Sequence, residues 1–396
     1  MNPICPRHTF TLFAALVLLL MALATDSPAE KDTSVMGLQC AGCSKSITGR
    51  YITALGKDWH PEHFVCASCG KPFGDQAFFE HEDHPYCQAC YNQKFSPRCA
   101  GCGEPISGRY ITALDTVWHP HHFVCASCGR PFHGSQFMIQ EQQPYCRTCY
   151  HDKFTEKCAI CKQPLIGKYV ASFWGENYHL EHQDQLEACT SCRRPICDQL
   201  TGGGFRYEDD RTMCAICRET AIDSLRIANQ LLLQVKRDLE GMGFTFDKAD
   251  LPLRLIDHRE LTELTGIHRT NGRTQTKEET VNGQVVKREV EEIVILHGLP
   301  RIHFAAVAAH ELGHVYLFQR KFPQLPSSVE EGLCELMAYL WLRRQQDHEA
   351  AFQIEMKKNS DDSVYGDGFR AALVALENNR PDLLFEYVRQ HSRFPR

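Results

Sequence analysis

Hydrophobic positions divide this chain into three regimes. An apolar run, Phe10 to Ala24, follows Arg7 and His8 and ends in the small-x-small triplet Ala22-Leu23-Ala24. It is short for a bilayer span, so it predicts a secretory signal cut after Ala24, with an uncleaved N-terminal anchor as the alternative. From residue 40 to 217 apolar positions are sparse and cysteine pairs punctuate the chain. Beyond 218 long periodic segments appear. Ile222, Leu225, Ala228, Leu232, Val235 and Leu239 fall at helical spacing within Ala221 to Leu239, which predicts an amphipathic helix ended by Gly241 and Gly243. Asn282-Gly283 between valines predicts a hairpin, and Glu292 to Leu296 a strand closed by Gly298-Leu299-Pro300. That strand is expected at a sheet edge, open to an extended peptide. Ile302 to Arg320 is apolar on nearly every side, which predicts a buried helix. Pro323 and Pro326 break the chain, helices follow from Ser328, and Tyr365-Gly366-Asp367-Gly368 reads as a turn.

The middle regime repeats itself. Each cysteine and histidine of the order C-x-x-C, WH-x-x-H, C-x-x-C, C-x-x-C recurs 59 positions later. The first copy supplies Cys40, Cys43, His60, His63 and then Cys66, Cys69, Cys87, Cys90. The second supplies Cys99, Cys102, His119, His122 and then Cys125, Cys128, Cys146, Cys149. A degenerate third copy supplies Cys158, Cys161, His179, His182 and then Cys189, Cys192, Cys214, Cys217, with a longer join between its two sets. Ligands three apart can bite one tetrahedral ion, and two such pairs close the site to water, so these zincs would be structural. Eighteen of the 21 cysteines and six histidines fill six such sites, leaving Cys5, Cys197 and Cys334. A disulfide framework would need no histidines in register. Tyr51, Trp59 and Phe64, with Tyr110, Trp118 and Phe123, are expected as core residues of these small modules. The formal net charge of −6 argues against nucleic acid as partner.

Residues 40 to 150 resemble the LIM domain, a double zinc finger in which WH-x-x-[CH]-F-x-C-x-x-C is the most specific part. His63 and His122 stand where a cysteine is more usual. The resemblance implies protein recognition.

The buried helix carries HELGH. His310 and His314, four apart, project from one face, and Glu311 lies beside them, a geometry suited to a metal with an open position. In SSVEEGLCELMAYLWL, Glu331 is the favoured third ligand over Glu330 and Glu335. Ser327-x-x-Glu330 and Ser328-x-x-Glu331 also fit capping boxes. Glu335 is read either as an orienter of a ligand histidine or as an ordinary helix glutamate. Glu311 would be the general base. Tyr365 is a candidate oxyanion donor, with a packing role as the competing reading; His303, His297 and Arg370 are weaker candidates.

HExxH followed by a helical Glu-Gly resembles the gluzincin metallopeptidases. With the LIM modules and YGDGFRAA, the chain resembles the plant LIM-domain peptidases that limit organ size, the "DA-one" family. The resemblance implies His310, His314 and Glu331 as zinc ligands, Glu311 as base and regulatory proteins as substrates. Plant members carry ubiquitin-interacting helices where this chain has its apolar leader, so ubiquitin dependence stays open.

The expected organisation is a signal at 1–24, a linker at 25–39, modules at 40–97, 98–156 and 157–217, and an α+β HExxH domain at 218–396. The expected function is a zinc endopeptidase, exported to the periplasm or beyond, with one catalytic and up to six structural zincs and no nucleic-acid partner. The rival is a secreted LIM scaffold with a silent peptidase-like domain.

Overall fold

The computed structural model describes residues 30–32, 37–132, 136–247, 251–267, 270–281 and 284–395. The segment expected to be a leader and the Asn282-Gly283 pair expected to turn a hairpin lie outside these. Two compact units divide at Thr155/Glu156.

In the N-terminal unit, each module is two short antiparallel hairpins and one short helix. Arg50–Ala54 pairs with Lys57–Trp59, Phe79–His81 with His84–Tyr86, and Gln88–Phe95 is helical. The second copy repeats this with Ile111–Ala113, Thr116–Trp118, Met138–Gln140, Gln143–Tyr145 and Arg147–Phe154. Glu30–Asp32, in the segment read as linker, pairs with Arg50–Ala54. With so few apolar residues, aromatic rings supply the packing: Phe64 is fully buried against Phe73 and Phe78. Trp59 and Trp118 each donate their indole N–H to a hairpin carbonyl, Ala54 and Ala113, at 3.1 Å. Tyr51 is buried, whereas Tyr110 is only half-buried.

The C-terminal unit contains the third module and the α+β domain. In the third module, Tyr169–Ala171 pairs with Asn177–His179 and Gly204–Arg206 with Thr212–Cys214, and the longer join folds as a helix, Glu181–Gln185. Elements of the α+β domain are numbered separately. Strand β1 (Ala221–Ile222) precedes helix α1 (Leu225–Glu240). Then come β2 (Leu253–Ile256), α2 (His258–Thr265), β3 (Gly272–Val281), β4 (Gln284–Leu296) and β5 (Leu299–Pro300). Five helices complete it: α3 (Arg301–Gln319), α4 (Ser327–Leu342), α5 (His348–Lys358), α6 (Tyr365–Glu377) and α7 (Pro381–His391).

The structure changes four expectations. Helix α1 starts later than periodicity suggests, because Ala221 and Ile222 pair with Pro300 and Leu299. Leu225 is consequently exposed. Strand β4 is not an edge. It lies between β2, parallel, and β3, antiparallel, and β3 is the edge strand on the α3 side. Tyr365-Gly366-Asp367-Gly368 is the first turn of α6, led by Asp362, whose carboxylate accepts the N–H groups of Val364 and Tyr365. Finally, neither Ser327 nor Ser328 caps α4. Pro326 holds the cap position without a side-chain bond, which leaves Glu330 and Glu331 available to other partners.

Helix α3 is the axis of the core. Twelve of its residues are buried, from Phe304 to Leu317, because α1, α4, β3 and β4 surround it. Two glycines permit the close crossings of α4. A Cβ on Gly313 would stand 2.9 Å from the Cα of Cys334, and one on Gly368 would stand 2.1 Å from the Ser328 carbonyl oxygen.

Candidate metal centre and its cleft

HELGH sits two-thirds of the way along α3, and α4 crosses it at Gly313. The crossing brings Glu331 over both histidines. Glu331 Oε2 lies 3.1 Å from His310 Nε2 and 3.5 Å from His314 Nε2. Two ligands about 2.0 Å from a tetrahedral ion stand roughly 3.3 Å apart, so these separations fit one zinc. Glu331 Oε2 is also buried without a hydrogen-bond donor of good geometry, an acceptor aimed at the point where the imidazoles converge.

The opposite ring nitrogens face carboxylates. His310 Nδ1 lies 3.4 Å from Glu335, and His314 Nδ1 lies 3.2 Å from Glu330. The His314 contact is a hydrogen bond of the kind that fixes a ring so that Nε2 keeps its lone pair for a metal, whereas His310 Nδ1 makes only the charge contact with Glu335. Glu335 also takes an ion pair from Lys357. Glu330 and Glu335 thus flank the site, while Glu331 alone reaches both Nε2 atoms.

Burial dominates the electrostatics and the carboxylates answer it. Burial opposes protonation of His310, yet Glu335 and Glu331 outweigh it and raise the imidazole to about 9. His314 is likewise raised, against burial, by Cys334 first and then by Glu330 and Glu331. Burial would raise Glu331, but the two adjacent imidazoles pull it well below the carboxylate range. Glu335 is drawn down to about 2 against the same penalty, chiefly by Lys357 and His310. Glu311 is the exception. It is 3% exposed, and burial raises it despite the neighbouring imidazoles.

Two residues that the sequence reading passed over hold Glu311. Thr274 on β3 donates its hydroxyl to Glu311 Oε2 at 2.7 Å. Gly272 on the same strand is glycine for lack of room: a Cβ there would stand 2.6 Å from Glu311 Oε1 and 2.9 Å from Val307 Cγ1. The available signal was the Asn271-Gly272 dipeptide opening a strand, which carries no hint of α3.

A cleft of about 670 Å³ opens over this group, with His310, Glu311, His303 and Tyr365 on its lining. The Tyr365 ring lies 6.1 Å from the His310 ring, and burial with nearby carboxylates pushes its hydroxyl upward, keeping it a donor. Burial drives His303 down to about 4, so it is neutral near pH 7. His297 and Arg370 serve structure. His297 faces Asp223 at 3.3 Å, and Arg370 donates to the Lys358 and Ser360 carbonyls.

The cysteine-histidine sets converge as well. Cys40, Cys43, His60 and His63 form one cluster; Cys66, Cys69, Cys87 and Cys90, Cys99, Cys102, His119 and His122, Cys125, Cys128, Cys146 and Cys149, and Cys158, Cys161, His179 and His182 form others. Cys43 Sγ stands 3.5 Å from His60 Nδ1, which itself is 3.3 Å from His63 Nδ1, and Cys69 Sγ is 3.9 Å from Cys87 Sγ. These are tetrahedral edges for bonds of about 2.0 Å to nitrogen and about 2.3 Å to sulfur. In the third module Cys192 Sγ is 3.7 Å from Cys214 Sγ, and the Cys214 N–H points to Cys189 Sγ at 3.3 Å. Among the described residues no cysteine is disulfide-bonded. Burial works against the Cys40 and Cys99 thiolates, yet backbone N–H donors and a histidine bring them to about 6 and about 5. Cys197 packs against the small core of the third module, and Cys334 is buried on α4 where it meets Gly313 of α3.

The third module is bound to the α+β domain by its own side chains. Asp209 accepts the His258 N–H at 2.9 Å, and Arg211 donates to the His297 carbonyl at 3.1 Å. Tyr207 packs where Gly298, at φ 73°, leaves room for it. Trp174 packs against Phe352 of α5 in a tilted pair with ring centroids 4.8 Å apart.

Comparison with known proteins agrees with this division. Residues 40–95 and 99–154 match the LIM domain, and residues 223–360 match the DA1-like family described as Protein DA1. Over 177 residues the chain is 44% identical to Paxillin-B of Dictyostelium discoideum, a stretch covering 45% of this chain and 30% of that protein. The chain thus spans less than a third of the length of that relative. The chain carries tandem LIM domains followed by a DA1-like region of mixed helices and strands.

Proposed function

We propose that this chain is a zinc-dependent endopeptidase in which His310, His314 and Glu331 hold the catalytic ion. The observation that carries the reading is the approach of two imidazole Nε2 atoms and one carboxylate oxygen at tetrahedral spacing, with Glu311 beside them in a cleft. A bound zinc supplies Lewis-acid polarisation of a carbonyl and acidifies water.

The remaining work belongs to side chains. Glu311 receives a proton from the attacking water and returns it to the leaving amine. Its raised affinity for protons suits both halves of that task, and the Thr274 hydroxyl holds one of its oxygens in place. Tyr365 is the proposed donor to the developing oxyanion, since its hydroxyl stays protonated in the working range. Strand β3, the sheet edge beside α3, replaces β4 as the surface on which an extended peptide pairs. The LIM domains at 40–154 recognise other proteins, a reading supported by the chain's likeness to Paxillin-B. The N-terminal leader directs export.

Glu311→Gln tests the reading. The variant should retain its full zinc content and lose cleavage of an unfolded protein by at least about a hundredfold. Equal cleavage by the variant and the wild type sinks the enzyme reading and leaves the LIM scaffold.

A further inference from the structure

The cleft over His310 and Glu311 is not enclosed by the α+β domain alone. The third module forms one wall, through Thr190, Ser191, Arg193 and Arg211. Both arginines stand on the loops that carry the Cys189–Cys192–Cys214–Cys217 cluster: Arg193 follows Cys192, and Arg211 precedes Cys214 by three residues.

Arg211 is held rigidly and incompletely. Its side chain is only 10% exposed, and its Nε donates to the two Asp209 oxygens at 3.0 and 2.9 Å. Nη1 donates to the His297 carbonyl at 3.1 Å. Nη2 is buried and has no partner. A guanidinium has five N–H donors in a fixed fork, and leaving one such nitrogen unmatched in a protein interior is costly unless something else takes its protons.

The carboxylates lining the cleft do not answer it. Glu335 is paired with Lys357 and His310, Asp362 caps α6, and Glu311 is bonded to Thr274. Exposed Arg193 adds a second positive charge on the same wall. Arginine forks favour planar carboxylates.

Resting on the peptidase reading, we propose that Arg211 and Arg193 form a carboxylate-binding subsite, so that the third module selects substrate for the neighbouring metal centre. The carboxylate is either an Asp or Glu side chain at a fixed distance from the cut or the free C terminus of a peptide.

The zinc-loaded full chain is given a proteome-derived peptide library, once with free and once with amidated C termini, and cut positions are read by mass spectrometry. Glu311→Gln protein defines the background. Wild type should show either Asp and Glu enriched about tenfold at one position, or cuts at a fixed distance from a free C terminus that amidation abolishes. Arg193→Glu should reduce that preference about tenfold and favour Lys or Arg there instead. Because Arg211 also bonds Asp209 and the His297 carbonyl, its variant is Arg211→Lys, expected to weaken the preference while the fold persists. Cutting with no carboxylate preference, or a preference that both variants keep, overturns the subsite and leaves the peptidase reading standing. Wild-type cutting no greater than that of Glu311→Gln overturns the peptidase reading instead. The subsite is then judged by capture of the same library on Glu311→Gln protein. Enrichment of acidic or free-acid peptides that Arg193→Glu removes supports it, and indifferent capture refutes it.

Discussion

Gly272→Ala isolates the placement of Glu311 from the proposed metal ligands. The added methyl would stand 2.6 Å from Glu311 Oε1, 2.9 Å from Val307 Cγ1 and 3.1 Å from Glu311 Cδ. The carboxylate must yield, since it is the freest of these groups, and in yielding it leaves the Thr274 hydroxyl at 2.7 Å. A hydrogen bond to a charged group contributes about 1.5–3 kcal/mol, so loss of this placement should lower kcat/KM by roughly ten- to a hundredfold. Stability should change less. Overpacking costs about 1–3 kcal/mol, partly offset by the ~0.5–1 kcal/mol gained when alanine replaces glycine. Zinc content should stay whole, because Gly272 approaches Glu311 and Val307 and not His310, His314 or Glu331. The measurements are kcat/KM on a quenched peptide, zinc by elemental analysis, and a thermal melt. Thr274→Val removes the same hydroxyl without crowding and should lower activity in the same direction. The double variant should be little worse than the poorer single one, since both act through Glu311. Gly272→Ala protein that cleaves within about twofold of wild type refutes the reasoning, as does an activity loss that simply follows zinc loss.

Gly313→Ala should destabilise the domain by about 1–3 kcal/mol, less the ~1 kcal/mol of helix propensity regained, and should reduce zinc retention, because the methyl meets the Cys334 backbone. Adding Cys334→Ala should not rescue it, since the contact at 2.9 Å is with Cα; full rescue, seen in melts and zinc counts, would contradict the packing argument. Glu335→Gln should weaken zinc binding about ten- to a hundredfold in a chelator competition by loosening His310 Nδ1, and an unchanged affinity would show that Glu335 is an ordinary paired helix glutamate. Glu349 is raised to about 7 by burial first and then by Asp347. For an acid raised in the folded state, the fold binds more protons than the unfolded chain, so stability falls as pH climbs from about 4.5 through about 7. Glu349→Gln should therefore raise the melting temperature of the C-terminal unit at pH 8 and not at pH 4.5. An equal shift at both pH values would remove the titration as the cause.

Local chemistry made the candidate metal sites readable in the chain. Ligands three or four residues apart report their own geometry, so the LIM clusters and the His310–His314 pair needed no tertiary information. The buried α3 and α4 were legible for a similar reason, because a helix apolar on all sides has nowhere to lie except a core. What sequence left open was decided by neighbours distant along the chain. Strand β4 looks like an edge until β2 and β3 pair with both its sides, and hydrophobic alternation does not reveal which strands flank it. Tyr365-Gly366-Asp367-Gly368 has turn composition, yet Gly368 answers to α4, which approaches too closely for a Cβ there, and Gly366 answers to Ser360. Glu330, Glu331 and Glu335 are alike in sequence; only the crossing angle at Gly313 brings Glu331 to both Nε2 atoms and leaves the others on the Nδ1 sides. Gly272, Thr274 and the Arg193–Arg211 wall act across the fold. Residue type and local spacing thus determined which groups can bind metal, while the close packing of α3 against α4, β3 and the third module determined what those groups face.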